Sequence, residues 1–127
     1  MYTCGAAIFI DRDTFEGIGK FDERIFMYCE EEDIAYRLNR IKKYGAYFPQ
    51  IRIVHLQGKS TGHDELKTRK QILESSKYIC KKYGFDFKKE MRKELFAMKT
   101  INGVKRLFFL KPRYSDDVIE QIKEELS

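Results

Sequence analysis

The second half of the chain is patterned almost entirely for helices, and this limits the fold more than any other feature of the sequence. Apolar residues recur there at helical spacing in four segments with no convincing strand between them. The segments are residues 66–83, 87–98, 104–110 and 116–126. Gly84, Asn102 with Gly103, and Pro112 separate them. We therefore predict a helical tail over residues 63–127.

The first half alternates short apolar runs with turn residues. Residues 4–10, CGAAIFI, combine small, β-branched and aromatic side chains and predict a buried strand. Residues 46–49 and 51–58 predict two short extended pieces, the second of which alternates apolar and basic residues. The predicted fold class is therefore α/β, as an α+β fragment with short mixed strands in residues 1–62 followed by the helical tail.

A short helical turn is predicted directly after the first strand. Asp13 or Thr14 is placed to cap it, and Gly17 or Gly19 to end it.

The length of the chain limits it to one modest core. A chain of 127 residues buries only about two thirds of the surface that it exposes when unfolded, which excludes a large two-substrate enzyme. No run approaches the ~20 apolar residues of a membrane span, and no basic region precedes the first apolar stretch. We expect neither a transmembrane helix nor a signal peptide.

Cys4, Cys29 and Cys80 form no CxxC or Cys/His pair, and three widely spaced cysteines make a poor disulfide framework. This pattern favours a reducing, cytoplasmic location.

The net charge of +5 is unevenly distributed. Residues 1–63 hold 9 basic and 9 acidic side chains, residues 64–113 hold 15 and 6, and residues 114–127 hold 1 and 5. The middle block accompanies its cations with apolar residues such as Phe87, Met91, Leu95, Leu107 and Phe108. It therefore has two interpretations: a surface for phosphates or an anionic membrane, or a solvated face whose apolar residues pack inward.

Residues 30–33, EEED, are four consecutive carboxylates at the start of a helix predicted over residues 30–43. The N-terminus of a helix favours negative charge, which makes a solvated helix cap one interpretation. Four carboxylates in a row repel one another, so we expect at least one to face inward beside Phe26, Tyr28 and Tyr36. A carboxylate in such surroundings has a raised pKa, which suits a general base.

His55 ends an apolar run and precedes a polar segment. From the residues alone it is either a hydrogen-bonded structural histidine or a ligand.

Many of these features follow one another in a fixed order along the first half. They are Gly5, residues 19–23, Phe26, Tyr28, residues 30–33, Tyr36, Arg37, Leu38, Gly45, Pro49, His55, Gly58 and Ser60. In this order and spacing, residues 3–61 resemble the second half of the catalytic domain of family-2 glycosyltransferases, with the rhamnosyltransferase-like bacterial members closest.

The resemblance implies an inverting, metal-dependent transfer in which a carboxylate deprotonates the acceptor hydroxyl. It gives the role of base to Glu31, with the neighbouring Glu30 as the open alternative, because the family usually has Asp at this position. Asp33, Arg37 and Asp22 would orient the helix or bind the acceptor.

The donor side of the reaction is implied in the same way. The resemblance makes His55 a ligand of a divalent metal, Mn²⁺ or Mg²⁺, on the donor diphosphate. It places Lys59 and Ser60 near the phosphates.

The nucleotide-binding half of the family, which carries an Asp-x-Asp metal motif, has no counterpart in its expected place. Asp11 and Asp13 have that spacing, but they lie where the family has a strand leading into the short helix. We therefore expect residues 1–62 to be the acceptor and catalytic-base part of a GT-A domain, and the chain alone to be inactive.

The implied partners are a nucleotide-sugar donor and a glycan or lipid-linked acceptor. A half-domain with unpaired strand edges also predicts a homodimer. We expect no nucleic acid, and a cytoplasmic protein with peripheral contact at the inner membrane face. The alternative is a non-catalytic module that uses the basic tail to bind a membrane or another anionic partner.

Overall fold

The computed structural model describes residues 5–55 and 64–127. The chain divides into two compact units, Met1–His63 and Asp64–Ser127. Every regular element within the described ranges is an α-helix. The helices are α1 Arg12–Gly17, α2 Glu30–Arg40, α3 Glu65–Tyr83, α4 Phe87–Leu107 and α5 Asp116–Leu126.

The prediction of an α/β fold with short mixed strands is wrong for the described residues. Residues 5–10 and 51–55 form no strand, and the side chains of Phe9 and Val54 are 88% and 89% exposed. A strand needs a neighbour that accepts its N–H groups and donates to its C=O groups. The described ranges contain no such neighbour, so an apolar run is not enough to form a sheet.

The helix starts follow ordinary capping chemistry with one exception. Side chains of Asp11, Asp64, Asp86 and Ser115 accept hydrogen bonds from the first turns of α1, α3, α4 and α5. The cap of α1 is therefore Asp11, and neither Asp13 nor Thr14. Cys29 precedes α2 without a side-chain cap.

The local sequence predicts the end of α1 but not the end of α2. Gly19, with a φ of 89°, follows α1, as expected of one of the two glycines named for this end. At the end of α2 the left-handed residue is Lys42, with a φ of 57°, and the helix stops at Arg40 rather than at residue 43.

The second unit buries one apolar cluster among its three helices. Helix α4 packs against α3 and α5, and α3 packs against α5. The cluster consists of Leu73, Met91, Met98, Val118 and Ile122, with Phe87, Leu95, Tyr114 and Leu126 packed against it. An ion pair between Arg69 and Glu94, with two contacts of 2.8 Å, joins α3 to α4 beside this core.

Helix α4 continues through Asn102 and Gly103, where the sequence predicts a break. The buried Asn102 side chain binds the backbone of the next connection instead of its own. Its Oδ1 accepts from the N–H groups of Arg113 and Tyr114 at 3.0 and 3.1 Å, and its Nδ2 donates to the Tyr114 carbonyl at 2.8 Å. These three bonds outweigh the modest cost of Asn and Gly inside a helix.

Within residues 5–55 and 64–127, no helix combines the length and the apolar composition that a membrane crossing requires.

We expect Ile122→Ala to lower the free energy of unfolding by about 2–5 kcal/mol, because it opens a cavity in a core where Ile122 is fully buried. Urea unfolding followed by circular dichroism measures the change. The matched control is Leu107→Ala, which shortens an aliphatic side chain that is 75% exposed and should change stability by no more than about 0.5 kcal/mol. Equal losses in the two variants would contradict the assignment of the core.

Candidate functional site

Two adjacent glutamates at the start of α2 form the candidate site. The chain enters this helix through two successive left-handed residues, Tyr28 with a φ of 65° and Cys29 with a φ of 68°. Non-glycine residues adopt this conformation rarely and at a cost, and such strain clusters at functional sites. The strained turn delivers Glu30 and Glu31 into the first turn of α2.

The backbone of Gly5 lies against both carboxylates. Its N–H donates a hydrogen bond of 3.3 Å to Oε1 of Glu31. A Cβ added to Gly5 would lie 3.3 Å from Oε1 of Glu30 and 3.4 Å from Oε1 of Glu31. Glycine at position 5 therefore allows the two carboxylates to sit side by side against one stretch of backbone.

Each glutamate has one side-chain oxygen that no donor among the described residues reaches. Oε2 of Glu30 and Oε2 of Glu31 are buried and have no hydrogen-bond partner within the described part of the chain. Buried polar atoms in proteins are nearly always paired, and a carboxylate oxygen accepts more than one hydrogen bond. Within the described residues, each glutamate therefore has one buried oxygen whose capacity to accept a hydrogen bond is unused.

The Glu30 carboxyl holds its proton more tightly than an ordinary glutamate does. Burial raises the pKa of Glu30 above its ordinary value of 4.5, and repulsion from Glu31 and Glu32 raises it further. A hydrogen bond with the Glu31 side chain also favours the protonated form, while a bond from its own backbone N–H acts in the opposite direction. Glu30 therefore has the raised pKa that the sequence predicts for a carboxylate of this run, whereas the most deeply buried carboxylate of the run is Asp33.

Asp33 and Arg37 make a buried ion pair one turn further along α2. The Asp33 side chain is 1% exposed, and Nε of Arg37 lies 2.9 Å from its Oδ2. A second guanidinium nitrogen of Arg37 donates to the carbonyl of Ile18, just after α1. This contact fixes α2 against the end of α1, and the acceptor-binding or orienting role of the pair stays a prediction.

The structure places the other predicted site residues as follows. Asp22 binds the guanidinium of Arg24 with contacts of 3.0 and 3.2 Å. His55 is exposed at the end of the first described range, whereas Lys59 and Ser60 lie outside the described residues. The structure therefore brings together Glu30 and Glu31, and separately Asp33 and Arg37.

A metal-ligand set is not found in the described ranges. Within residues 5–55 and 64–127, no group of three His, Cys, Asp or Glu side chains is arranged to hold a metal ion. His55 alone does not make a site for a hard cation, which takes six or more oxygen ligands. The expectation of Mn²⁺ or Mg²⁺ stays a prediction.

Two features of the site were missed from sequence. Gly5 was recognised as part of a motif but not as a hydrogen-bond donor to Glu31, a contact across 26 residues that only folding creates. The left-handed turn at Tyr28 and Cys29 carries no local signal, because neither residue is of the type that favours this conformation.

Comparison with known proteins gives a partial similarity to one kind of enzyme. No family model and no solved structure matches the chain. It is similar to the N-acetylglucosaminyl-diphospho-decaprenol L-rhamnosyltransferases of two strains of Mycobacterium tuberculosis, each 37% identical over 60 residues. The match covers 47% of this chain and 20% of each relative, so it spans about a fifth of the relatives' length. The predicted likeness to rhamnosyltransferases is confirmed at this level.

We expect the Glu30 carboxyl to titrate above 4.5 in the folded protein, and Glu31→Gln to lower that pKa because it removes the repulsion of a second carboxylate. Carbon-13 NMR of the side-chain carboxyls, titrated over pH, measures the pKa of Glu30 in the wild type and in the variant. Glu16→Gln on α1 serves as the control and should leave the Glu30 titration unchanged. An unaltered Glu30 pKa in Glu31→Gln would show that the two carboxylates do not interact.

The raised pKa of Glu30 also predicts that this residue destabilises the fold as the pH rises. A carboxyl whose folded pKa is raised binds its proton more tightly in the folded state, so stability falls as pH rises from about 4.5 through the folded pKa. Wild type should therefore lose stability relative to Glu30→Gln across this window. Urea unfolding of both proteins at several pH values measures the difference, and a constant difference would refute the shift.

Proposed function

We propose that this chain is the acceptor-activating part of a glycosyltransferase that moves a sugar from a nucleoside diphosphate to a hydroxyl group of a glycan or lipid-linked acceptor. One observation carries the proposal, namely two adjacent glutamates that lie against the backbone of Gly5, one of which, Glu30, has a raised pKa. The partial similarity to L-rhamnosyltransferases supports the reaction class. The relatives' names make L-rhamnose the first donor sugar to test and a sugar on a polyprenyl diphosphate the first acceptor.

One of the two carboxylates is the proposed general base. Burial, and repulsion from the neighbouring carboxylates, raise the pKa of Glu30, whose side chain also hydrogen-bonds with that of Glu31. The N–H of Gly5 donates to Oε1 of Glu31, whereas Oε2 is buried and has no partner among the described residues. Glu31 is the proposed base because it holds the motif position of the resembled family, and Glu30 is the open alternative.

The proposed step balances as a single displacement. The carboxylate of Glu31 takes the proton of the acceptor hydroxyl while the hydroxyl oxygen forms a bond to the anomeric carbon. The bond from that carbon to the diphosphate oxygen breaks, and its electron pair leaves with the nucleoside diphosphate. Attack opposite the leaving group inverts the anomeric carbon.

Asp33 and Arg37 are proposed as positioning residues. The pair fixes α2 to the residue after α1 and therefore fixes the direction in which the first turn of α2 points. On the donor side, Lys59 and Ser60 are proposed to lie near the phosphates. His55 is proposed as a ligand of a divalent metal, Mn²⁺ or Mg²⁺, which would polarise the diphosphate leaving group.

The test is transfer of labelled rhamnose from its nucleoside diphosphate to an N-acetylglucosaminyl-diphospho-polyprenol by the native gene product. We expect Glu31→Gln to lower the rate by roughly 100- to 10,000-fold, because the acceptor loses its base. Glu32→Gln is the matched control: it removes an exposed carboxylate from the same helical turn, and it should retain transfer.

Each other outcome has a defined meaning. If Glu30→Gln abolishes transfer and Glu31→Gln does not, the base is the other glutamate. If the folded native gene product transfers no sugar from a panel of sugar nucleotides, the enzymatic proposal fails. A non-catalytic binding module is then the remaining interpretation.

A further inference from the structure

The end of α4 presents a run of large apolar side chains to solvent. Leu107, Phe108, Phe109 and Leu110 are 75%, 67%, 98% and 57% exposed. We call these four residues the apolar tip. The core of the same unit lies elsewhere, around Ile122. Four consecutive exposed apolar residues contribute no burial free energy to the fold. Exposed apolar patches of this kind mark interaction sites.

Positive charge flanks the apolar tip on both sides. Lys105 and Arg106 precede it, Lys111 and Arg113 follow it, and no acidic residue lies between Gly103 and Arg113. Arg106 reaches Asp116 at 3.4 Å, but both side chains are more than half exposed, so this pair neutralises little. The segment therefore combines four exposed apolar side chains with cationic residues on both sides of them in the sequence.

The apolar tip is held in a defined conformation. The N–H of Phe109 donates to the Arg106 carbonyl at 3.0 Å, and the N–H of Leu110 donates to the Lys105 carbonyl at 2.8 Å. These are the two bonds of a Schellman C-cap, with Phe109 at the left-handed position that glycine usually occupies. On the far side, Asn102 binds the backbone of Arg113 and Tyr114.

The residue at the left-handed position is costly for the fold. A bulky aromatic side chain with a φ of 56° is strained, and Phe109 recovers nothing by burial because it is 98% exposed. Stability alone would favour glycine at position 109, so phenylalanine there points to a use outside the folded core.

In the structure, the basic block of residues 64–113 contains both packed and exposed apolar side chains. Met91 lies in the core, and Phe87 and Leu95 pack against it, so around these residues the cations cover a packed helix. Leu107 and Phe108 are exposed. Only the end of α4 combines exposed apolar side chains with flanking cations among the residues named for that block.

We propose that residues 104–113 dock the protein on an anionic lipid bilayer. The apolar tip enters the headgroup region, while Lys105, Arg106, Lys111 and Arg113 meet lipid phosphates. Apolar burial and attraction to anionic lipid are the two contributions that bind such segments to membranes.

Charge distinguishes the bilayer from a second copy of the chain. An interface that pairs two apolar tips would bring together eight cations with no acidic residue in either segment. Like charges across an interface oppose association. An anionic bilayer satisfies both the cations and the apolar side chains, and this proposal does not depend on the transfer reaction.

The chain contains no tryptophan, so Phe109→Trp gives a single reporter at the apolar tip. Its emission should shift to the blue on phosphatidylglycerol-containing vesicles and be quenched by brominated lipid, but should not change with pure phosphatidylcholine. Unaltered emission with anionic vesicles would overturn the proposal.

Vesicle co-sedimentation of unlabelled variants gives the second test. Phe109→Gly should reduce binding to anionic vesicles at least tenfold without lowering the melting temperature, because glycine suits the left-handed position. The matched control is Phe96→Ala, which removes a 74% exposed phenylalanine from the middle of α4 and should leave binding unchanged.

Charge is tested separately. The double variant Lys111→Gln/Arg113→Gln should weaken binding, and about 1 M salt should abolish it. Full binding by Phe109→Gly, equal binding to neutral vesicles, or a dimer that Phe109→Gly dissociates in the absence of vesicle binding would each refute the bilayer as occupant.

Discussion

The buried contact of Arg37 with Asp33 and with the Ile18 carbonyl organises the first unit. The described residues of this unit contain no sheet that would orient its helices, and its buried apolar residues are few, namely Ile25, Cys29 and Ile34. An ion pair at such a site is costly to break from one side, because the remaining charge would stay buried. The direction of α2, and with it the position of its first turn, therefore depends on this contact.

The glutamates of that first turn show how one short segment acquires chemical character from several sources. The helix start favours negative charge, the strained turn at Tyr28 and Cys29 sets the entry into the helix, and Gly5 supplies a donor from a distant part of the chain. Burial then raises the pKa of Glu30.

Prediction from sequence succeeded where the deciding interactions are local. The starts of α3 and α5 depend on caps a few residues away and on apolar spacing, so both helices lie within one residue or less of their predicted bounds. Prediction failed where distant partners decide. Asn102 suggests a break by its type, yet its bonds to the backbone of Arg113 and Tyr114 keep it inside α4. The apolar runs at residues 5–10 and 51–55 predict strands, yet a strand forms only with a neighbour.

The sequence by itself determined the helical character of residues 64–127, the acidic start of α2 and the block of positive charge, because spacing, composition and capping are written in neighbouring residues. Only the tertiary structure decided that Gly5 meets Glu31, that Glu30 has the raised pKa, and that Met91 is buried while Phe109 is exposed. The physical reason is that burial and the desolvation of a charge depend on which distant segments exclude water from a side chain.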